Sequence, residues 1–339
     1  MAGLERTDAQ LDNLVATHRV PGMVVTLMDH GQKVLHKGYG KADVETNIPM
    51  DQDHSLLRIA SISKCITGLA LGRMMEEGLV DLDADFREYV PEYPKGAYCF
   101  SIRQLAGHTA GIRGYRGKEF ALNQNLSIEQ GIEIFKNDPL IYEPGKGYLY
   151  NSFDFVLLSL AMERASGRSF AAYVRENVLD PLGLRATFSP KELVEHGDSL
   201  KRQGLKTANF YTPCPLGFRA ALAVDNNYKL AGGGYLSTAA DIARLGQAVL
   251  EGKLLQKSTY EILLTSQIVQ GSPTYYGLGF QVSRDASGRE FVGHLGNSVG
   301  AYTQMYVYPD RQKVISLLIN CTDPKIQGAL DEALDPFLG

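Results

Sequence analysis

Strand-forming runs lie near both ends of this chain, with mainly helix-forming sequence between them. Residues 22–28 and 33–39 are rich in β-formers and are separated by Asp29-His-Gly-Gln32, which predicts a hairpin. Near the C-terminus the same pattern predicts strands at residues 276–282, 290–294, 301–308 and 313–319. Because strands and helices are segregated along the chain, we expect an α/β (α+β) fold with one antiparallel sheet from both chain ends, flanked by helices.

Helical patterns fill the middle of the chain and also lie near its two termini. They predict helices at residues 7–18, 61–77, 157–165, 170–179, 238–250 and 325–338. Gly78 follows the second helix as a C-cap residue, and Ser237 precedes the fifth as a candidate N-cap. We therefore expect a sheet domain, residues 1–60 with 230–339, and a mainly helical region, residues 61–229, with the active site between them.

Composition excludes several classes of protein. The 339 residues include 34 basic and 38 acidic side chains, and this balance is unfavourable for binding nucleic acid through its phosphates or for a polybasic membrane-surface protein. Since no apolar run approaches about 18 residues, we expect no membrane-spanning helix. The first twenty residues lack the apolar core of a secretory signal. We expect a cytoplasmic protein if Met1 is the native start, and a periplasmic, secreted or organellar one if it is not.

The four cysteines, Cys65, Cys99, Cys214 and Cys321, are widely spaced and form no C-x-x-C pair. A structural zinc site normally needs ligands in close pairs, so we expect no metal site. The pattern is typical of reduced, mostly buried thiols. If the protein is secreted, a disulfide between two of these cysteines remains an alternative.

The first candidate for chemistry is Ser61, which lies three residues before Lys64 at the start of a predicted helix. This spacing places both side chains on one helix face, where the amine reaches the hydroxyl. Burial depresses the pKa of a lysine and lets it accept the serine proton. The alternative is that Ser61 only caps the helix.

The second candidate is Tyr150, in a turn-rich segment that runs from Gly145 to Ser152 and leads into a helix. A nearby lysine is expected to lower the pKa of its phenol, which would then act as acid or base. The alternative is a tyrosine packed under a loop.

The third candidate segment is Gly293-His-Leu-Gly-Asn297, at the end of a predicted strand. A glycine there allows a substrate backbone to approach closely. The backbone amide of Asn297 is a candidate oxyanion donor, and His294 is a candidate for orienting an acyl substrate. A lone histidine is otherwise more often structural.

These three segments, in this order and with these gaps, resemble the serine β-lactamase-like and penicillin-recognising family. The similarity is greatest to its class C-like set, which includes D-alanyl-D-alanine carboxypeptidases, D-aminopeptidases, β-lactamase-type carboxylesterases and the eukaryotic LACTB proteins. Longer stretches that carry the resemblance lie at residues 58–64, 75–83, 104–112, 232–242 and 276–280. It extends from about residue 10 to 335 and implies a β-lactamase/transpeptidase-like fold.

The resemblance also implies roles for individual residues. Ser61 would be the acylated nucleophile, Lys64 would activate it, and Tyr150 would carry a proton to the leaving group. The backbone amides of Ser61 and Asn297 would form the oxyanion hole. The implied reaction is acyl transfer through a serine ester followed by hydrolysis, and it needs no cofactor.

Substrate binding is implied for Ser152, His294, Leu295 and Gly296, and two of these depart from the family pattern. Ser152 stands where the Y-x-N element has asparagine, and Leu295 stands where the K-T-G element has threonine. Loss of a hydrogen-bonding group from a recognition pocket costs about 10²-fold or more in discrimination. Both changes therefore disfavour a dedicated β-lactamase or carboxypeptidase and favour a substrate that depends less on a carboxylate.

The sequence thus predicts a serine hydrolase of the esterase or peptidase/amidase type, acting on a small-molecule ester, amide or peptide. An acyltransferase on the same site remains an alternative, as does a non-catalytic binding or scaffold protein. The oligomeric state is left open. Residues 186–230 are aromatic-rich and irregular, which favours a wall or lid beside the substrate.

Overall fold

A computed structural model describes residues 2–339 of the chain. The α-helices are α1 (Ala2–Ala16), α2 (Ser63–Glu76), α3 (Phe86–Tyr89), α4 (Ile102–Ala106), α5 (Ile128–Ile132), α6 (Phe153–Ser166), α7 (Phe170–Val174), α8 (Pro190–Glu195), α9 (Gly197–Arg202), α10 (Ala239–Leu250), α11 (Lys257–Leu263) and α12 (Gln327–Leu338). Short 3-10 segments lie at Ala60–Ile62, Glu119–Ala121 and Pro309–Arg311, and π-helical turns lie at Arg175–Leu179 and Leu230–Gly234.

The strands are β1 (Gly22–Asp29), β2 (Gln32–Asp43), β3 (Ile48–Pro49), β4 (Ser55–Arg58), β5 (Lys206–Thr207), β6 (Tyr211–Cys214), β7 (Gly217–Ala220), β8 (Leu236–Ser237), β9 (Ile268–Val269), β10 (Ser272–Pro273), β11 (Gln281–Arg284), β12 (Glu290–Ser298), β13 (Ala301–Tyr308) and β14 (Lys313–Ile319). Seven of them form one antiparallel sheet in the order β11-β12-β13-β14-β1-β2-β3. The first and last parts of the chain meet where β1 pairs with β14. The predicted fold class, with one antiparallel sheet from both chain ends and helices around it, is confirmed.

The sheet separates two hydrophobic layers. Along β1 successive side chains point to opposite faces, so Val24 packs into the core beneath the helical region while Met23 and Val25 pack on the other face. Helices α1 and α12 cover that outer face. On the inner face α2 is buried almost all round, which explains why its sequence lacks an amphipathic pattern.

One strand expectation is wrong in its first part. Residues 276–280 are not strand, and β11 begins only at Gln281. The intervening segment packs directly against α2, where a Cβ at Gly279 would lie 2.5 Å from the backbone oxygen of Lys64. Gly279 has φ +86°, a left-handed conformation that interrupts the strand. Close packing on α2 therefore overrides the local strand propensity.

Several expected helix boundaries differ from the structure: the helix expected at residues 7–18 is α1, which begins at Ala2, and the one expected at 157–165 is α6, which begins at Phe153. Helix α10 is capped by Thr238, whose hydroxyl accepts a hydrogen bond from the backbone N–H of Asp241, and not by Ser237. Ser237 lies in β8 with its hydroxyl against Thr187. The predicted helix 61–77 begins with a 3-10 turn before α2, and Gly78 follows it with φ +69°, as expected of a C-cap glycine.

The cysteines form no disulfide within residues 2–339. Cys65 and Cys321 are buried, whereas Cys214 is half-buried and Cys99 is exposed, so two of the four match the expected burial. In the same residues, no helix has the length and hydrophobicity that a bilayer crossing requires.

Candidate active site

Ser61 lies in a strained turn between β4 and α2. The residue before it, Ala60, has φ +47°, a backbone conformation that residues other than glycine rarely adopt. Thr303 on β13 donates its hydroxyl proton to the backbone oxygen of Ile59 over 2.9 Å and so ties this turn to the sheet. Strain of this kind persists only where the surroundings fix the backbone, and it presents Ser61 to the cleft.

Lys64 is fully buried beside Ser61. Its Nζ lies 3.3 Å from Ser61 Oγ and donates a 2.6 Å hydrogen bond to the backbone oxygen of Gly232. Burial lowers the pKa of this amine to about 7, although the charge of Asp154 opposes the shift. The expected depression is therefore present, and a substantial fraction of Lys64 is neutral near pH 7.

Tyr150 completes a three-residue cluster. Its hydroxyl lies 2.6 Å from Ser61 Oγ, and Lys64 Nζ lies 4.8 Å from the centroid of its ring. The ring is 38% exposed, but the hydroxyl end points into the cluster, and desolvation raises the pKa of the phenol. The expectation that this pKa is lowered is wrong, because desolvation is its largest influence and raises it. Tyr150 is therefore a neutral proton donor at neutral pH.

His294 forms a buried wall behind Tyr150. Its Nδ1 donates to the backbone oxygen of Leu295 over 2.5 Å, which leaves Nε2 to accept a 3.0 Å hydrogen bond from the hydroxyl of Tyr276. Burial and the nearby Lys64 lower the pKa of the imidazole to about 3, so it is neutral. Both ring nitrogens are thus engaged by protein groups, and the ring centroid lies 5.6 Å from that of Tyr150.

The other positions of the K-T-G-like element have different surroundings. Because side chains alternate along β12, Leu295 points to the outer face of the sheet and packs with the cluster under α1 and α12. Gly296 faces the turn that holds Ser61, where a Cβ on Gly296 would lie 2.9 Å from the Cβ of Ala60. Pairing of β12 with β11 ends at Gly293, so beyond it β12 borders the cleft.

The cleft has a volume of about 330 Å³. It is lined by Ala60, Ser61, Tyr115, Phe120, Ser152, Val224, Asn226, Lys229, Gly232, Gly233, Asn297, Ser298, Val299, Thr322 and Asp323. Of the four residues expected to bind substrate, only Ser152 lies on this surface. The two residues expected to supply oxyanion amides, Ser61 and Asn297, both line it. Residues 224–229 form one side, as expected of the segment 186–230.

Several residues of the site were not assigned from the sequence. Buried His108 places its ring 4.7 Å from those of Tyr150 and Tyr276, and its Nδ1 bonds Asp154 over 2.7 Å. Lys229 donates to the backbone oxygen of Phe120, and burial lowers its pKa to about 8. Residues 2–339 contain no group of three or more His, Cys, Asp or Glu side chains arranged to hold a metal ion.

An antiparallel sheet flanked by helices, with a serine, a buried lysine and a tyrosine clustered beside it, defines the serine β-lactamase and transpeptidase class of fold. A family model described as Beta-lactamase matches residues 7–335. The chain belongs to the beta-lactamase family.

Relatives with assigned names support this membership. Human mitochondrial serine beta-lactamase-like protein LACTB is 27% identical, with 86% of this chain and 69% of the relative covered. Esterase EstB of Burkholderia gladioli is 30% identical, with coverages of 72% and 69%. Among solved structures, the D-amino acid amidase of Ochrobactrum anthropi SV3 aligns with a TM-score of 0.83 at 22% identity over 99% of both chains, which shows the shared fold.

The pKa of Lys64 predicts the pH dependence of any activity at this site. Below the midpoint near pH 7 the amine is protonated and cannot take the serine proton, so kcat/KM falls about tenfold per pH unit. Above the midpoint we expect a plateau, because burial raises the pKa of Tyr150. Rates of p-nitrophenyl acetate hydrolysis from pH 5 to 9, corrected for spontaneous hydrolysis, test this expectation. A profile that stays flat from pH 5 to 7 would contradict it.

Gly296 is expected to be essential for the close packing of β12 on the turn that holds Ser61. A Cβ there would lie 2.2 Å from Thr303 Oγ1 and 2.9 Å from the backbone oxygen of Ile59. We expect Gly296→Ala to reduce the free energy of unfolding by about 1–3 kcal/mol, measured by urea denaturation, because both neighbours must move. The control is Gly328→Ala in α12, where a Cβ meets open space and stability should stay equal or increase. Equal stability of both variants would refute this packing argument.

Proposed function

We propose that this protein is a serine hydrolase that forms an acyl-enzyme on Ser61 and acts on a small ester, amide or peptide. The observation that carries the proposal is the position of Ser61 Oγ, 3.3 Å from Lys64 Nζ and 2.6 Å from Tyr150 Oη at the edge of a cleft. A nucleophile, a base and a proton donor then meet at one atom. Membership of the beta-lactamase family supports the same reaction class.

The proposed acylation begins with the neutral amine of Lys64. It takes the hydroxyl proton of Ser61 as Oγ attacks the carbonyl carbon of the substrate. Backbone N–H groups of Ser61 and Asn297 stabilise the oxyanion. Tyr150 donates its proton to the leaving oxygen or nitrogen and regains one from the ammonium of Lys64. The carbonyl–heteroatom bond breaks, and the acyl group stays on Oγ.

Deacylation reverses these roles with water as the nucleophile. Tyr150 takes a proton from water as the water oxygen attacks the ester carbon, and it passes its own proton to the neutral amine of Lys64. The bond to Ser61 Oγ breaks, and Oγ recovers its proton. The two steps hydrolyse one ester or amide bond with no net change in the enzyme, and the proposal needs no cofactor.

The substrate class is proposed from the cleft and from two relatives. EstB is named an esterase, and the structural neighbour from Ochrobactrum is a D-amino acid amidase. Ser152 stands where the family pattern has asparagine. The serine hydroxyl extends less far than an asparagine amide toward a peptide-like acyl group. We therefore expect short-chain esters and primary amides to react faster than penicillins.

A panel of p-nitrophenyl acetate, D-phenylalanine amide and benzylpenicillin tests this order directly. We expect turnover of the ester or the amide, with penicillin hydrolysed at least about 10²-fold more slowly by kcat/KM. Faster turnover of penicillin would overturn the substrate class. An added alcohol that diverts product from acid to ester would instead indicate an acyltransferase. No turnover with any of the three, together with no covalent labelling of Ser61, would favour a binding protein.

A further inference from the structure

Lys229 is a lysine on the surface of the cleft that is only 7% exposed. Its Nζ lies 5.4 Å from the ring centroid of Tyr115 and donates a 2.8 Å hydrogen bond to the backbone oxygen of Phe120. Both of these residues also line the cleft. Because an ammonium group carries three N–H donors and this contact uses one, Lys229 has donors left for a ligand in the cleft.

The charge of Lys229 has no counter-charge in the part of the chain that the structure describes. The carboxylate of nearby Asp225 accepts the backbone N–H of Asn227 and forms no ion pair with the amine. Burial lowers the pKa of Lys229 to about 8, so the group is still mostly protonated at pH 7. A buried charge is unfavourable unless it is paired, and an anionic group of a substrate would pair with it.

The other charges around the cleft favour an anion as well. Among residues 2–339, those that line the cleft include one acid, Asp323, and Lys325 forms an ion pair with it. Arg58 donates a 2.7 Å hydrogen bond to the backbone oxygen of Val299, a cleft residue, and its guanidinium lies 4.1 Å from the ring centroid of Phe210. Positive charge on and behind the walls of a cleft attracts anionic substrates.

The lining of the cleft indicates which half of the substrate reaches Lys229. Ser61 and Asn297, whose backbone N–H groups are proposed to bind the oxyanion, both line it. Tyr150, the proposed proton donor to the leaving group, is not among the described residues that line it. The acyl half of the substrate therefore occupies the cleft. The aromatic and valine side chains of the lining offer apolar walls for methylene groups.

The K-T-G-like element supplies no cation for such a substrate. His294 is neutral, and both of its ring nitrogens bond protein groups. Leu295 points to the outer face of the sheet. Since Lys64 is assigned to the proposed proton transfer, Lys229 is the cation that remains for recognition of a carboxylate.

We propose that Lys229 determines specificity by binding a carboxylate at the far end of the acyl group, so that half-esters and half-amides of short dicarboxylic acids are preferred substrates. This inference deepens the proposed function and rests on it for the placement of the acyl half. The affinity of Lys229 for a carboxylate does not depend on catalysis. If Lys229 only fastened the segment of Phe120, its loss would affect charged and neutral substrates alike.

Substrates matched in length test this preference in the wild type. The p-nitrophenyl half-esters of adipic and suberic acid end in a carboxylate, and the corresponding esters that end in a primary amide lack the charge. At pH 7, after correction for spontaneous hydrolysis, we expect kcat/KM to be about tenfold or more higher for the carboxylate at one or both lengths. Equal values for the carboxylate and the amide at both lengths would overturn the proposal.

Lys229→Gln removes the charge and keeps an N–H donor for the backbone oxygen of Phe120. We expect the ratio of kcat/KM for carboxylate over amide to fall to about one in this variant. The matched control is Lys257→Gln at the start of α11, where the same charge is removed from a side chain that is 92% exposed and outside the cleft lining. A ratio that persists in folded Lys229→Gln protein, or that falls equally in both variants, would overturn the proposal.

Binding without turnover separates this inference from the proposed reaction. In Ser61→Ala protein, calorimetric titration compares monomethyl adipate with the methyl ester of adipic acid monoamide. We expect the carboxylate to bind about tenfold more tightly or better, and we expect the difference to vanish when Lys229→Gln is added. Selective binding with no turnover by the wild type would mean that the proposed reaction fails and the carboxylate site stands. Turnover without selectivity in binding or rate would mean the reverse.

Discussion

Replacement of Ser61 by alanine is expected to lower kcat/KM for p-nitrophenyl acetate by at least about 10³-fold. Among residues 2–339, Ser61 Oγ is the atom within hydrogen-bond distance of both Lys64 Nζ and Tyr150 Oη, so alanine removes the proposed acyl acceptor. The measurement is initial-rate kinetics at pH 8, with the thermal midpoint recorded for each variant. We expect a small change in stability, because alanine fits the space that serine leaves.

Ser63→Ala is the matched control for this experiment. Ser63 lies two residues further along the chain, at the start of α2, and its hydroxyl accepts a 3.3 Å hydrogen bond from the backbone N–H of Tyr235. Its loss should lower stability, with kcat/KM changed by less than about tenfold. If Ser61→Ala kept activity within tenfold of the wild type, the nucleophile assignment would be wrong.

Replacement of Lys64 by methionine is expected to lower kcat by about 10²–10⁴-fold, the usual contribution of general acid–base catalysis. Methionine matches the apolar stem of the fully buried lysine, so the variant loses the amine without a large cavity. The pH profile of the residual activity should no longer fall below pH 7, because that fall reports the titration of Lys64. Steady-state kinetics between pH 5 and 9 measure both effects.

Lys229→Met separates loss of the base from loss of a positive charge in the cleft. Lys229 is a buried lysine that lines the cleft, and its Nζ donates to the backbone oxygen of Phe120 and not to Ser61. We expect its replacement to change mainly KM, and we expect the activity of the variant still to fall below pH 7. Similar losses of kcat in the two variants would argue that Lys64 acts by charge alone.

The sequence predicts well those features that depend on local pattern. Strands at residues 301–308 and 313–319 have the expected bounds, since alternating β-formers flank a turn that contains Pro309. The spacing of Ser61 and Lys64 correctly places the two side chains together, because both belong to one turn of chain. The C-cap glycine expected after α2 is also found, since Gly78 has a left-handed backbone conformation.

Features that depend on long-range packing were harder to predict. The sequence does not show that Leu295 faces α1 and α12, because the direction of a strand side chain depends on which face each helix covers. It also does not show that the hydroxyl of Tyr276 hydrogen-bonds the imidazole of His294, since 18 residues separate them. The pKa of Tyr150 was misjudged for a related reason: the lysine is visible in the sequence, whereas the surrounding rings that desolvate the phenol are not.

The most direct test of the account is intact-protein mass spectrometry after incubation with a fluorophosphonate, followed by peptide mapping. We predict one covalent adduct in the wild type, located on the peptide that contains Ser61, and none in Ser61→Ala. Reaction with the wild type should accelerate as pH rises through 7, because neutral Lys64 generates the nucleophile. An unlabelled wild-type protein that is folded, or an adduct that persists in Ser61→Ala, would contradict the assignment of Ser61 as the acylated residue.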